Sequence, residues 1–577
     1  MKKKVLPALI VTGLIILVVI IMGITALINK YTPTKKTEDL KEYFNISSDD
    51  EAALIVDNEL SDYKAKIIDD KVYVDYRFVH DSLNSRFYWD ANENVLLYTT
   101  ASDIISAAAD SNSYSVTKQT NDFGYPIVKA TSDSALIALD YVKQYSNITF
   151  KSYDDPARVV ITSKWDEIDS ATVSKSTQVR VKGGIKSPIL KQVKKNDTLT
   201  ILDSGDKWDK VATEDGIIGY IKSKAMSESK KTKLTNPDYE EETFTHIKKD
   251  KDICLAWNQV TSQSANSKVA QVISSTKGIN VMSPTWFYLN DNNGNLADIA
   301  SKDYVSYCHS QGIEVWGLFS NFENTDVDAA YVLTHTSTRT TLINQIMSAA
   351  FNYELDGVNI DFENITEAAY GDSYIEFIRE LAIKCHNNGI SLSVDVTVPA
   401  SFNKFFNRSD MANFADYIVI MGYDEHYKGS DAGSVASIPW VTDGVEATLK
   451  EVPADQIILG MPFYTRIWEL TPKEDDDAVT DTEDQSKYTV ASQVYGMDAA
   501  ATQLATNNAT ASLDEESGQN YAEWSASNKL YKVWLEDSTS LEKRLKLVDD
   551  NKLAGAAFWK LGFENSSVWD TVIKYLD

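Results

Sequence analysis

Short apolar runs separated by amphipathic stretches fill the last part of the chain, from about residue 245 to residue 577. Eight such runs occur: DICLAWNQ, GINVMSPTWF, IEVWGLF, DGVNIDFE, SLSVDVTVP, YIVIMGYD, IILGMPF and AGAAFW. Nearly continuous apolar runs are typical of strands that are buried on both faces of a parallel sheet. Eight strands that alternate with helices predict an α/β fold, a (β/α)8 TIM barrel. The long gap between Phe463 and Ala554 predicts a small insertion, which includes the helical stretch MDAAATQLATN.

The fourth run has an unusual polar face. In ELDGVNIDFENIT, Asn359, Asp361 and Glu363 alternate with three apolar residues. Successive side chains of a strand point to opposite faces, so the three polar side chains share one face. Acidic side chains are costly to bury and lower strand propensity, so a purely structural strand has no reason to carry them. We predict that Glu363 is the last residue of this strand, at the barrel mouth where catalytic groups lie.

Two neighbouring carboxyl groups at a barrel mouth can supply acid catalysis. The Cα atoms of Asp361 and Glu363 would lie roughly 6–7 Å apart on one strand. Repulsion between carboxylates raises one pKa, which keeps one carboxyl protonated near neutral pH. Cleavage of a glycosidic bond needs such an acid, because the leaving oxygen must be protonated as it departs.

The chain before residue 245 divides into an apolar segment and several polar ones. Residues 1–30 hold an uncharged, mostly apolar run from Val5 to Asn29, long enough to span a bilayer and too long for the core of a cleaved signal peptide. We predict an uncleaved signal anchor. Lys2, Lys3 and Lys4 favour a cytoplasmic amino terminus, but further lysines follow the span. The positive-inside rule therefore favours this orientation of the helix without fixing it. We expect the rest of the chain to lie outside the cell.

Four regions follow this anchor. We predict a tether over residues 31–50 and a small α+β domain over 51–165, which holds strand-like runs such as KVYVDYRFV, RFYWD and NVLLYTT. Residues 170–228 alternate short β runs with turns, and the polar residues 229–244 form a linker.

Composition excludes several function classes. The chain has 577 residues and a formal net charge of −28, with 84 acidic against 56 basic residues, which argues against a nucleic-acid partner. Such a charge suits an extracellular protein with a neutral or weakly charged substrate. The three cysteines, Cys254, Cys308 and Cys385, lack metal-ligand spacing and are expected to be buried thiols. The acidic stretch PKEDDDAVTDTEDQ lacks the spacing of a calcium loop, so we predict a solvated loop, and no metal or cofactor is expected.

Four separated motifs of the last region occur together in one enzyme family. DGVNIDFE resembles the DGxDxDxE signature of glycoside hydrolase family 18, which includes chitinases and peptidoglycan N-acetylglucosaminidases. MGYDEH, GMPFYTR and AGAAFW resemble the motifs of its sixth, seventh and eighth strands. The resemblance covers residues 245–577. Residues 51–165 resemble the domain named after the amino terminus of copper amine oxidases, and residues 170–228 resemble a bacterial SH3-like barrel, which is a spacer or a binder of wall peptide.

The resemblance implies a substrate-assisted retaining mechanism. Glu363 would protonate the glycosidic oxygen while the substrate's own 2-acetamido oxygen attacks the anomeric carbon. Asp361 would hold the acetamide N–H, Tyr423 would donate to the acetamide oxygen, and Trp559 would form the floor under the sugar. Asp356 and Gly357 are expected to be structural. The remaining substrate-binding candidates are Asn359, Asp424, Met421, Tyr464, Arg466 and Trp286.

Several roles stay open on sequence alone. Asp424 could orient the acetamide or bind sugar hydroxyls, and Arg466 could simply pair with a barrel carboxylate. Trp286, Trp316 and Trp524 are as easily core residues as sugar platforms.

Asn359 departs from the family pattern, which has an aspartate there. It can still hydrogen-bond Asp361, but it cannot ionise, which calls the family's usual proton cycling into question. Some bacterial wall and spore-cortex members share this asparagine, which favours a peptidoglycan substrate.

Three functions are therefore ranked. The first is a peptidoglycan N-acetylglucosaminidase at the outer face of the membrane. The second is a chitinase, which ranks lower because the predicted insertion is modest. The third is a catalytically silent sugar-binding module, which ranks last because Glu363 is retained.

Overall fold

The computed structural model of the protein describes residues 5–363, 365, 368–473 and 485–576. The chain forms two compact units, each of which is described by itself. The first comprises Met1–Trp89, Ala107–Tyr114 and Thr120–Glu241, and the second comprises Asp90–Ser106, Ser115–Gln119 and Glu242–Asp577.

The first helix runs from Val5 to Tyr31. Its segment Leu9–Tyr31 is long and apolar enough to cross a membrane, and its side chains are exposed. Within the described part of the chain it is the one helix that meets this test of length and composition. Lys2, Lys3 and Lys4 lie outside the described residues.

Two seven-stranded sheets make up most of the first unit. The first has the strand order Thr149–Tyr153, Arg158–Thr162, Glu51–Val56, Glu59–Ile68, Lys71–Asp75, Ala135–Ala138, Val128–Ala130. The second is antiparallel and has the order Ile189–Val193, Thr177–Arg180, Ile218–Lys222, Trp208–Thr213, Thr198–Asp203, Glu167–Thr172, Lys230–Lys233. Alternating apolar residues of the second sheet, among them Val179, Leu199 and Val211, meet in one core. The likenesses to an SH3 barrel and to the amine oxidase domain stay predictions.

The remaining short elements before residue 242 are helices and strands. The helical segments are Leu40–Tyr43, Tyr76–Phe78, Val79–Leu83, Leu139–Gln144 and Ser223–Ala225. Five short strands follow one another in chain order: Phe87–Asp90, Val95–Thr99, Ile104–Ala108, Ser113–Val116 and Gln119–Asp122.

The second unit contains the predicted barrel. Its eight parallel strands are Ile253–Asn258, Val281–Leu289, Glu314–Ser320, Gly357–Asp361, Ser391–Thr397, Tyr417–Met421, Ile457–Pro462 and Gly555–Trp559. The first strand pairs with both the second and the eighth, so the sheet is closed. Each of the eight apolar runs in the sequence overlaps one of these strands, and the prediction of a (β/α)8 barrel is confirmed.

Helices follow most of the barrel strands, and a small sheet follows the seventh. The helices are Val269–Ile273, Lys302–Ser310, Ala329–Thr334, Thr336–Tyr353, Ala368–His386, Arg408–Phe414, Ile438–Thr448, Ser538–Asn551 and Trp569–Val572. The small sheet has the order Tyr488–Gly496, Tyr464–Pro472, Lys529–Leu535, Gln519–Ala526, Ser512–Asp514, and the helix Met497–Thr506 lies within it in sequence. Most of the acidic stretch at residues 472–485 lies outside the described residues.

The fourth barrel strand separates its two faces as the alternation predicts. Val358 and Ile360 are fully buried in the large cluster that includes the surrounding helices. Asn359 and Asp361 point the other way, into the barrel, where Asn359 bonds to residues of other strands. The strand ends at Asp361, so Glu363 lies two residues beyond it and is not its last residue. The chain is therefore free to turn Glu363 over the barrel mouth.

Gly357 begins this strand where the Trp316 ring leaves no room for a side chain. A Cβ atom at residue 357 would lie 2.5 Å from Trp316 Cδ1. We expect Gly357→Ala to lower the free energy of unfolding by about 1–3 kcal/mol, because the rigid indole must move. Urea unfolding followed by tryptophan fluorescence measures this change. Gly184→Ala, where a Cβ would meet no heavy atom within 4 Å, is the control. An unchanged midpoint for Gly357→Ala would show that the ring yields freely.

Candidate active site

A cavity of about 490 Å³ opens at the carboxyl ends of the barrel strands. It brings together seven of the residues predicted from the motifs: Asp361, Glu363, Met421, Tyr423, Asp424, Tyr464 and Trp559. Residues of the fifth strand and the loop after it, from Asp395 to Phe402, complete much of the wall. In TIM-barrel enzymes, the active site is built from the loops at this end of the barrel.

Glu363 lies at the cavity mouth and keeps contact with solvent. Its backbone N–H donates to Asn321 Oδ1 at 3.1 Å, which fixes the chain after the fourth strand. The surrounding walls partly desolvate the carboxyl and raise its pKa, and repulsion from Asp424 and Glu323 adds to the effect. A raised pKa keeps the proton that a general acid must deliver.

Asp361 lies deeper and is 5% exposed. Burial raises its pKa well above the ordinary value, and the carboxylates of Asp395 and Glu363 raise it further. Among the described residues, no group hydrogen-bonds its Oδ1 atom. A buried carboxyl oxygen without a partner lines this cavity, so it can accept a hydrogen bond from a molecule bound there.

Asn359 is fully buried beneath these two carboxyls and makes four hydrogen bonds. Its Oδ1 accepts from Trp257 Nε1 at 3.0 Å and from Ser283 Oγ at 2.9 Å. Its Nδ2 donates to Ser393 Oγ at 3.0 Å and to Asp395 Oδ1 at 2.7 Å. These four bonds use both N–H donors and both acceptor lone pairs of the amide. The prediction that Asn359 bonds Asp361 is therefore wrong, since its partner carboxylate is Asp395.

The segments that follow the sixth and seventh strands supply a second set of polar side chains. Tyr423 lines the cavity, and burial followed by repulsion from Asp361 and Asp395 raises the pKa of its phenol well above the ordinary value. Its hydroxyl therefore stays a donor. Tyr464 donates to Asp424 Oδ1 at 2.6 Å, and Arg466 lies 3.7 Å from the same oxygen. Asp424 is thus held by two residues, and Arg466 acts behind it and does not line the cavity.

Aromatic and apolar side chains form the rest of the wall. Trp559 ends the eighth strand and lines the cavity, with its ring edge-to-face against Trp257 at 5.9 Å between centroids. Met421 ends the sixth strand and lines the same cavity. A partly exposed indole next to buried polar groups can pack against the apolar face of a sugar.

Comparison with known proteins identifies the domain that holds this cavity. Residues 313–564 match the sequence model of glycosyl hydrolases family 18. The chain contains a family 18 glycosyl hydrolase domain. The predicted enzyme class, a glycosidase, is confirmed.

Relatives of this chain include two proteins of Bacillus subtilis (strain 168). An uncharacterized glycosylase, YvbX, is 23% identical over 346 residues, which are 56% of this chain and 95% of that protein. The cortical fragment-lytic enzyme is 24% identical over 287 residues, which are 48% of this chain and 63% of that enzyme. Among solved structures, the C-terminal domain of a provisionally named chitinase from Desulfitobacterium hafniense DCB-2 matches with a TM-score of 0.50. It is 19% identical and covers 57% of this chain and 100% of that domain, so it supports the fold.

Three tryptophans proposed as sugar platforms lie elsewhere. Trp286 is fully buried and donates its Nε1–H to Asn266 Oδ1 at 2.8 Å, so it presents no free face and its prediction as a substrate-binding residue is wrong. Trp316 is also fully buried and stacks on Tyr417 inside the barrel. Trp524 lies on the inserted sheet, stacked on Tyr531.

Asp356 and Gly357 lie at the opposite end of the fourth strand from the cavity. Asp356 Oδ2 accepts from the backbone N–H of Val315 and from His309 Nε2, each at 2.8 Å. These bonds tie the start of the fourth strand to the third strand and the helix before it. Within the described ranges, no group of three or more His, Cys, Asp or Glu residues is placed to hold a metal ion.

Asp395 and Asn321 are among the residues of this site that sequence reasoning missed. The run SLSVDVTVP repeats the signal of the fourth strand, because Ser391, Ser393 and Asp395 alternate with apolar residues. The register that pairs Ile360 with Val394 brings Asp395 level with Asp361. Asn321 follows the third strand in the run IEVWGLFSN, where one polar residue after a strand carries little signal.

The buried carboxyl of Asp395 gives the domain a pH-dependent stability. Asp395 is 3% exposed, and burial raises its pKa well above the ordinary value. A carboxyl with a raised pKa in the folded state destabilises the fold as the pH rises from the unfolded pKa to the folded one. Asparagine has no such cost. We expect the free energy of unfolding of Asp395→Asn, measured relative to the wild type, to increase with rising pH. The increase is at most about 1.4 kcal/mol per pH unit for one proton.

Denaturant unfolding between pH 4 and pH 8, about the range where carboxyl groups titrate, measures this gain. The exposed Asp443→Asn is the control and should show a constant difference from the wild type. A constant difference for Asp395→Asn as well would contradict the burial of an ionisable group at this position.

Proposed function

We propose that this protein hydrolyses β-1,4 bonds next to N-acetylglucosamine in bacterial peptidoglycan, by a substrate-assisted retaining mechanism. The observation that carries the proposal is the shared cavity that Asp361, Glu363, Tyr423 and Trp559 line. Glu363 protonates the glycosidic oxygen as the 2-acetamido oxygen of the same sugar bonds to the anomeric carbon. The leaving sugar departs with that proton, and an oxazolinium ion remains.

The chain's own groups match the charges of this step. The unpartnered Oδ1 of Asp361 accepts the acetamide N–H, and its negative charge stabilises the cation. Tyr423 donates to the acetamide oxygen. Ionised Glu363 then takes a proton from the water that adds to the anomeric carbon as the bond from that carbon to the acetamide oxygen breaks, which returns Glu363 to its acid form. An internal nucleophile acts at an effective molarity of about 10⁵ M or more.

Exposed aromatic side chains beside the cavity support a polymeric substrate. Phe402 is 77% exposed and Tyr427 is 57% exposed, and both line the cavity. Large exposed rings at the rim of a pocket are typical of surfaces that bind a ligand. In this proposal they stack on sugars on either side of the cleaved bond.

The choice of peptidoglycan rests on a relative and on the amino-terminal helix. One relative is named a cortical fragment-lytic enzyme, and this name supports a substrate of the wall type in the present proposal. The apolar helix Leu9–Tyr31 would anchor the barrel at the outer face of the cell membrane, next to the wall. The strand-rich unit after it would act as a spacer or hold wall peptide.

A comparison of substrates tests the proposal. The full-length protein in detergent is incubated with purified muropeptides and with chitin oligomers, and products are reduced and identified by mass spectrometry. We expect muropeptide cleavage with N-acetylglucosamine at the new reducing end. Efficient cleavage of chitin oligomers with intact muropeptides would make the protein a chitinase, and no cleavage of either would contradict the glycosidase mechanism proposed here.

A further inference from the structure

The fifth strand places a second buried carboxyl against the one that Asp361 carries. Asp395 is 3% exposed, lines the same cavity, and lies level with Asp361 in the parallel register of the fourth and fifth strands. Asn359, two residues before Asp361 on the same face of the fourth strand, donates its Nδ2–H to Asp395 Oδ1 at 2.7 Å. Asp395 is thus connected to the fourth strand by a hydrogen bond to a group that cannot ionise.

The described wall of the cavity supplies no cation to balance these two carboxyls. Among the described residues that line the cavity, none is Lys, Arg or His. The groups that face Asp395 and Asp361 are the carboxyls of Glu363 and Glu323 and the phenols of Tyr374 and Tyr423. Two buried carboxylates without a counter-ion repel strongly, and such pairs hold one proton between them.

We propose that Asp395 is a positioning residue which shares one proton with Asp361 and so supplies the second ionisable group that Asn359 cannot supply. The inference rests on the proposed function of Asp361 as the acceptor of the acetamide N–H. In the free protein the proton is held by the pair. When the oxazolinium ion forms, the proton is on Asp395 and the negative charge is on Asp361, beside the cation.

The proton count of this step balances. One proton moves from Glu363 to the leaving oxygen as the glycosidic C–O bond breaks and the acetamide C–O bond forms. One proton returns to Glu363 from water in the second step. The proton of the Asp361 and Asp395 pair changes position within the pair and is neither released nor taken up.

The active form therefore carries two protons, one on Glu363 and one on the pair, and its pH profile reports both. On purified muropeptides, whose sugar leaving group must be protonated, we expect log(kcat/KM) of the wild type to fall with a limiting slope of −2 at high pH. Asp395→Asn retains a side-chain oxygen that can accept from Asn359 but cannot bind a proton. We expect it to lower kcat by about 10- to 100-fold, with little change in KM and a limiting slope of −1.

An exchange of the two residues separates proton binding from structure. The double variant Asn359→Asp/Asp395→Asn keeps an amide and a carboxyl on the two sides of the same hydrogen bond. We expect it to recover most of the lost kcat and to restore the slope of −2. Ser393→Ala removes another partner of the Asn359 amide without removing an ionisable group, and it should keep the slope of −2.

Infrared spectroscopy gives a readout that does not depend on activity. In a Glu363→Gln background at neutral pH, we expect the carbonyl band of a buried protonated carboxylic acid, lost in Asp395→Asn and regained in the exchanged pair. If no substrate is cleaved but this band behaves as expected, the proposed function fails and the shared proton stands. A wild-type slope of −1, wild-type kcat in Asp395→Asn, or a band unchanged by that substitution overturns the inference.

Discussion

Replacement of Glu363 by glutamine is expected to lower kcat by about 10²- to 10⁴-fold on substrates with a poor leaving group. Glutamine keeps the size of the side chain but cannot deliver a proton to the departing oxygen. KM should change little, because Glu363 lies at the open mouth of the cavity and makes no buried hydrogen bond through its side chain in the described structure. Reducing-end release from muropeptides measures the loss.

The leaving group offers an internal test of this role. On an aryl glycoside whose phenol leaves without protonation, Glu363→Gln should lose much less activity in the first step than it does on the natural substrate. Glu446→Gln, on the exposed face of the helix Ile438–Thr448, is the matched control and should retain wild-type activity. Equal activity of the wild type and Glu363→Gln on every substrate would contradict the acid role.

Substitution of Asp361 by asparagine is expected to lower kcat by about 10²- to 10³-fold. The variant loses the negative charge that would face the oxazolinium ion inside a buried site, where charge interactions are stronger than in water. In the wild type, burial and then the carboxylates of Asp395 and Glu363 raise the pKa of Asp361. Ionising this carboxyl in the free protein therefore costs free energy. Steady-state kinetics on an aryl β-chitobioside separate kcat from KM.

The form of the loss distinguishes catalysis from binding. If Asp361 acts on the transition state, kcat and kcat/KM fall together. Asp443→Asn, on an exposed helix face, should leave both unchanged. A rise in KM with kcat intact would mean that Asp361 only binds the substrate.

The fold of the second unit was predictable because barrel strands have a strong local signature. Each apolar run ends in polar or aromatic residues, and each of the eight overlaps a barrel strand. The last residue of a strand was less predictable, as Glu363 shows, because the apolar Phe362 continues the alternation after the hydrogen-bonded ladder has ended. Local propensity does not record where the ladder stops.

The motif residues converge on one cavity, whereas the network beneath them could not be derived from the motifs. The partners of Asn359 come from three other strands: Trp257, Ser283, and Ser393 with Asp395. Contacts between strands far apart in sequence depend on barrel register, which alternation alone does not give. Trp286 was misassigned for a related reason, since a tryptophan near a strand end can face the helices as easily as the cavity.

The central claim is that the substrate's acetamide is the nucleophile in the cavity of Asp361 and Glu363. A series of aryl β-chitobiosides with zero, one, two or three fluorines on the acetamide methyl of the reacting sugar tests it most directly, because fluorine withdraws electrons from the attacking oxygen. We expect kcat/KM to fall steadily with each added fluorine. A rate that does not depend on the number of fluorines would contradict acetamide participation.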